Sequence, residues 1–311
     1  MDATLQIVLP IFGLIGCGYA LGRTPLLSEE GIRGINAFVF YIVLPGLLFR
    51  TAGRDLPLQE LDADILYAFF GAAAAIYLLG IVLGAVLFRL RWDERILMGV
   101  SSSFGNTVML GVPLIVTAFG EAGVVPMALI VAFEGIILLA ATTVLLELTR
   151  GGGNLLSGAG TVLLAVLRNP VIMALAAGMA WNFGGLELPG PVARFIDLLA
   201  GAAPACALAA LGASLTRFRL AGDLPHAALT TVLKLAVYPL LVWLLAAQVF
   251  DLDPTWTAVA VILAAMPTGA NAFIMAQRYD IYTARAASGV LISTVVSVLT
   301  IGLAVAWFAP A

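Results

Sequence analysis

Two long apolar stretches, Ile96 to Phe119 and Thr255 to Tyr279, are each interrupted near the middle by residues that a continuous membrane helix disfavours. The first interruption reads Ser101-Ser102-Ser103-Phe104-Gly105-Asn106-Thr107 and is followed by Gly111-Val112-Pro113. The second reads Met266-Pro267-Thr268-Gly269-Ala270-Asn271. Proline removes a backbone donor and clashes with the preceding turn, glycine lowers the cost of leaving helical geometry, and asparagine offers a donor and acceptors at the break. Each stretch therefore predicts a broken helix. In lipid, non-helical backbone persists only where it is buried in protein or lines a cavity, so paired breaks point to a central site between helices.

Composition agrees with a membrane location. Of the 311 residues, 62% are hydrophobic and only 11% charged, with a mean hydropathy of +1.09; a soluble domain carries roughly 25% charged residues. The expected fold class is all-α and polytopic. With about 20 apolar residues needed per crossing, the spans predicted are Leu5 to Gly22, Ile35 to Ala52, Ile65 to Phe88, Ile96 to Phe119 and Val124 to Leu146, then Val162 to Phe183, Val192 to Leu215, Leu224 to Phe250, Thr255 to Tyr279 and Tyr282 to Phe308. That makes ten transmembrane helices. The first five occupy residues 1–147, a glycine-rich linker 148–160, and the second five 161–311. Met1-Asp2-Ala3-Thr4 lacks the positive region of a signal peptide, so the first apolar run reads as a retained span.

Cationic residues fall unequally between alternate connections. One set holds Arg23, Arg33, Arg89, Arg91, Arg95, Arg150, Arg168, Arg217, Arg219, Lys234, Arg278 and Arg285; the other holds Arg50, Arg54 and Arg194. Short cytoplasmic loops are enriched in Lys and Arg, which places both termini outside the cytoplasm. Because five is odd, the two halves would insert with opposite orientations, and any likeness between them is an inverted repeat. Such a likeness exists: Pro45 in the second span corresponds to Pro204 in the seventh, and the break in the fourth span to that in the ninth.

The runs Phe104 to Pro113 and Met266 to Asn271, with Ala276-Gln277-Arg278-Tyr279, Asn36 to Pro45 and Arg168-Asn169-Pro170 in support, resemble the auxin efflux carrier family in its short bacterial form. This PIN-like group also includes malonate and malate permease-like transporters, and the resemblance covers essentially the whole chain. It implies two inverted five-helix repeats, with a scaffold of spans one, two, six and seven and a mobile transport domain of three to five and eight to ten. It also implies that spans four and nine cross, that a small organic anion binds beside the crossing, and that the carrier is a homodimer in the bacterial inner membrane.

The residues supply their own reason for an anionic ligand. Half-helices place free amides and partial positive charge near the bilayer midplane. Asn106 and Asn271 can donate amide hydrogens there, Thr107 and Thr268 hydroxyls, and neither cluster contains an acidic side chain. Gly105, Gly269 and Ser103 complete the candidate lining, Gln277 is placed to reach it, and Pro113 and Pro267 are expected to shape the crossing. Ordinary packing kinks and interhelical asparagine bonds are the bland alternative.

Glu134, at the centre of the fifth span, is either a proton carrier or a protonated carboxyl bonded to a neighbouring helix. Lys234 reads as an interfacial anchor whose stem snorkels to the cytoplasmic side, with a contact to the passing anion as the alternative, and His226 as a solvated loop-edge residue. Cys17 and Cys206 read as packing residues. The net charge of −3 is spread thinly, with no basic stripe for nucleic acid. No metal site, phosphate loop, nucleophile elbow or cofactor motif is present in the sequence, so the predicted function is gradient-driven transport rather than enzymology. The alternatives are a sodium-coupled symporter of the bile acid type, a receptor, or an intramembrane enzyme.

Overall fold

The structure is a computed structural model that describes residues 2–54, 62–149, 168–185, 187–218, 220 and 224–308, with the side chains of 2–5 and 54 excluded. The predicted linker 148–160 and the start of the sixth predicted span lie mostly outside these residues.

Apart from one two-residue bridge, every regular element described is helical. Helix α1 spans Asp2–Gly22 and α2 covers 29–54. Helix α3 is Asp64–Val86, and α4 is divided into α4a, Trp92–Ser103, and α4b, 107–119. A short turn at Gly120–Gly123 leads to α5, 124–149. Then follow α6, Pro170–Phe183; α7, Gly190–Leu215; α8, Leu224–Val249; α9a, Pro254–Ala264; α9b, Ala270–Tyr279; and α10, Thr283–Phe308. Six stretches, in α2, α3, α4b with α5, α7, α8 and α10, are helical, long and apolar enough to cross a membrane, while α1, α6 and α9a contribute shorter apolar helices. Large apolar side chains stand outward, such as Leu9, Leu198, Leu299 and Leu303, each at least 70% exposed. Hydrocarbon is the solvent for such a surface. The molecule is an all-helical membrane protein.

Proline places several of the irregular turns. In α2, α4b and α8 a five-residue widened turn, Val39–Val43, Thr107–Gly111 and Leu233–Val237, comes just before Pro45, Pro113 and Pro239. Proline cannot donate to the carbonyl four residues back. The residue before each proline instead reaches five back: Leu44 N–H to Val39 O, Val112 N–H to Thr107 O and Tyr238 N–H to Leu233 O. The helix continues with a local bulge rather than stopping.

Small residues decide which helices lie close. A Cβ on Gly18 would fall 2.0 Å from Ala209 O, and one on Gly212 would fall 2.0 Å from Ile15 O, so α1 and α7 touch backbone to backbone. Helix α7 is also tied to α2 at both ends, through Asn36 Nδ2 to Ser214 Oγ at 2.7 Å and an Arg50–Asp197 ion pair at 2.8 Å. Helix α6 packs on the second half of α2, and α3 lies along α4a. In the middle of the bundle α9a is buried continuously from Thr257 to Ala264.

Candidate functional site

Both predicted breaks are present, and they meet. Helix α4a ends at Ser103; Phe104 is extended (φ −80°, ψ 122°) and Asn106 leaves helical geometry (φ −86°, ψ 53°) before α4b begins. Helix α9a ends at Ala264, and Gly269 is extended (φ −73°, ψ 147°) before α9b. Pro267 lies inside the second break, where its own lack of an N–H and its bias against helical geometry at Met266 favour a stop. The two extended segments run antiparallel and pair at Gly105 and Thr268. Asn106 N–H donates to Pro267 O at 2.8 Å and Gly269 N–H to Phe104 O at 3.1 Å. Each break thus satisfies polar backbone that the other exposes, which resolves the cost of non-helical chain at this depth.

The crossing is flanked by two different sets of side chains. On one side Glu134 of α5 accepts from Gly105 N–H at 3.0 Å and from the Thr107 hydroxyl. Lys234 of α8 donates to Ala264 O at 2.6 Å and lies 4.7 Å from the Tyr238 ring centre. Glu134 Oε1 and Lys234 Nζ would both stand 3.4 Å from a Cβ on Gly105, and both side chains are buried. A carboxylate at the amide-rich start of α4b and an ammonium at the carbonyl end of α9a each oppose the local helix dipole.

On the other side the groups are uncharged. Ser293 Oγ of α10 accepts from Thr268 N–H at 3.0 Å, and the Thr268 hydroxyl donates to Ser101 O at 2.9 Å. Ser293 therefore does for Thr268 what Glu134 does for Gly105. The Ser101 hydroxyl is buried and has no partner among the described residues.

The sequence-predicted residues divide accordingly. Gly105, Thr107, Thr268, Gly269 and Pro267 are all at the crossing, but the threonine hydroxyls are already donated to Glu134 and Ser101. Asn106 is half-buried and Asn271 exposed at the starts of α4b and α9b. Among the described residues no hydrogen bond engages either side-chain amide. The Ser103 hydroxyl donates to Gly99 O within its own helix. Pro113 lies further along α4b at its widened turn, and Gln277 is exposed two turns into α9b. Glu134, read from the sequence as separate from the clusters, is bonded directly to the first.

Two expectations are corrected. Lys234 is not an interfacial anchor: it is fully buried beside the crossing. It lies ten residues into α8, about 15 Å along the helix at 1.5 Å per residue, too deep for its stem to reach an interface. That depth was the signal available in the sequence. His226 is not solvated: it is buried against the Phe88 and Tyr282 rings at 4.8 and 5.0 Å, with Nε2 2.8 Å from the Tyr282 hydroxyl.

An apolar helical bundle built around a polar, interrupted crossing defines the class: a membrane transporter. The chain belongs to the membrane transport protein family, that of the auxin efflux carriers, whose profile matches residues 3–305. It is 34% identical over 300 residues to the "Putative malonate transporter" of Rhizobium meliloti (strain 1021), covering 95% of this chain and 92% of that protein. An uncharacterized transporter of Escherichia coli (strain K12) is 23% identical over 308 residues, covering 94% of each chain. Auxin efflux carrier component 8 of Arabidopsis thaliana is 24% identical over 347 aligned positions, covering 94% and 93%.

Proposed function

We propose that this transporter carries a small organic anion by alternating access, with the carboxylate received beside the crossing of α4 and α9. One observation carries the reading: two helices stop in mid-bundle, bind each other through Asn106 N–H to Pro267 O and Gly269 N–H to Phe104 O, and leave the Asn106 and Asn271 amides uncommitted beside two half-helix starts. Amide donors and positive helix ends in a place with little water favour an anion over a cation or a neutral solute. The Rhizobium relative's name makes malonate the first substrate to test.

In this reading the ten helices cross the membrane as two inverted repeats, with both termini on the non-cytoplasmic side. With Lys234 removed from the loop count, the Lys and Arg asymmetry still holds. The close-packed set α1, α2, α6 and α7 is the scaffold, and α3–α5 with α8–α10 move against it, as an elevator would. The equivalence of Glu134 and Ser293 about the Gly105–Thr268 bridge supports the two-fold relation.

Uptake of labelled malonate, succinate and acetate into proteoliposomes tests the assignment. Asn106→Ala and Asn271→Ala are each expected to weaken binding of the transported acid by about 1–3 kcal/mol, since a donor to a charged group is lost. Protein stability should hardly change, because neither amide has a partner to lose among the described residues. Flux and affinity unaltered in both variants would refute the site.

A further inference from the structure

The groups best suited to hold a carboxylate at the start of α4b are already holding one. Gly105 N–H and the Thr107 hydroxyl donate to the carboxylate of Glu134, and the Lys234 ammonium, which donates to Ala264 O, stands beside the same glycine. An external anion cannot take these donors while Glu134 keeps them. Uncoupled charge is also costly here: Glu134 and Lys234 are both buried in a bundle whose outside is apolar, and together they are neutral.

We propose that Glu134 is an internal competitor for the substrate, so that anion binding requires a proton to bind Glu134. The inference rests on the carrier reading above and adds its coupling. A proton from the accessible aqueous side forms an O–H bond on the Glu134 carboxylate. The hydrogen bonds from Gly105 N–H and Thr107 are released and reform to the substrate carboxylate, and Lys234 keeps its charge throughout. Charge balances in both forms. Empty, the site holds Glu134 as carboxylate and Lys234 as ammonium; loaded with a monoanion, it holds a neutral Glu134, the ammonium and the substrate carboxylate. The charge of the site is the same in both forms, which makes transport of a monoanion an electroneutral symport with one proton.

The surroundings leave Glu134 as the exchanging group. Lys234 and Tyr238 approach from α8, with Tyr238 directing its hydroxyl to Phe69 O. Tyr77 of α3 is bonded to Thr142 further along α5, and Arg50 of α2 is paired with Asp197. Tyr279 of α9b donates to Glu147 near the far end of α5, and Asp93, Glu94 and Arg95 lie at the start of α4a, two turns or more before its break, with Glu94 paired to Arg285. Residues 96–119, 170–183 and 254–264, which supply the rest of the helices packed on α5, contain no ionisable side chain. Ser293 at the equivalent place on the other side cannot exchange a proton in this way, so one proton per cycle is the stoichiometry.

Calorimetric titration of the purified full-length carrier with malonate, succinate and acetate, in buffers of different ionisation enthalpy, reads the proton count directly. The expected result for the wild type is one proton taken up per anion bound, with affinity falling about tenfold for each pH unit over the range in which free Glu134 is ionised. In E134Q the competitor is gone, so proton uptake should vanish and affinity should become independent of pH. Wild-type binding without proton uptake overturns the proposal whether or not E134Q folds, as does an unchanged proton count in E134Q. Failure of every carboxylate to bind would instead overturn the carrier reading, and this inference with it.

Discussion

The two breaks do the same backbone job with opposite chemistry. Around Gly105 the neighbours are charged and long, Glu134 and Lys234; around Thr268 they are uncharged, the Ser293 hydroxyl and the backbone carbonyl of Ser101. The helix ends are equivalent, since each extended segment gives one N–H and one carbonyl to the other. The difference lies in who satisfies the next amide along. At Gly105 a carboxylate does so, which brings in a charge that must be balanced and that can be titrated. At Thr268 a serine does so, and nothing there needs balancing. In the proposed inverted-repeat reading, the joint stays mechanically symmetrical while the proposed proton chemistry is confined to one side of it.

The comparison breaks most readily at Lys234. Lys234→Met removes the charge that offsets Glu134 and leaves a buried carboxylate unbalanced, an expected loss of about 3–5 kcal/mol, visible as a large fall in the detergent unfolding midpoint. Combining it with Glu134→Gln should recover much of that loss. A double variant no more stable than Lys234→Met would mean that the two residues do not balance one another.

A smaller effect separates the two glycines. A Cβ on Gly269 would fall 2.5 Å from Gly105 O and 2.7 Å from Phe104 Cδ1, backbone and a buried ring that cannot easily retreat. Gly269→Ala should therefore pry the bridge apart at a cost of about 1–3 kcal/mol and reduce flux. A Cβ on Gly105 meets Thr107 Cγ2 at 3.3 Å and the tips of Glu134 and Lys234 at 3.4 Å, where neighbours can give. Gly105→Ala should cost less than about 1 kcal/mol. Equal midpoints for the two variants would remove this difference between the breaks.

On the uncharged side the expected change is the loss of one hydrogen bond. Ser293→Ala deprives Thr268 N–H of its acceptor, a loss of about 1–2 kcal/mol, and should leave the pH dependence of transport as in the wild type. A shifted pH profile in Ser293→Ala would show that proton handling is not confined to the Glu134 side.

Much of this was legible in the chain. The Pro267-Thr268-Gly269 and Phe104-Gly105-Asn106 runs locate the breaks because proline and glycine act on the backbone of their own residues. Glu134 was identified as anomalous because a carboxylate in an apolar run has no cheap resting state. Its connection to Gly105 was not legible, since 29 residues and a turn separate them and only the packing of α5 on α4 brings the carboxylate to the break. Lys234 and His226 were misread for a related reason: a side chain's partner, not its own type, decides whether it is tolerated inside.

The sequence by itself determined the class, the membrane location and the two points of helix interruption, because those follow from local backbone chemistry and from the transfer of apolar side chains out of water. Only the tertiary structure decided that the interruptions pair with each other, that Thr107 and Thr268 spend their hydroxyls within the protein, and that Glu134 and Lys234 stand beside Gly105. Hydrogen bonds and charge balance act over a few ångströms in space, and distance along the chain does not encode that separation.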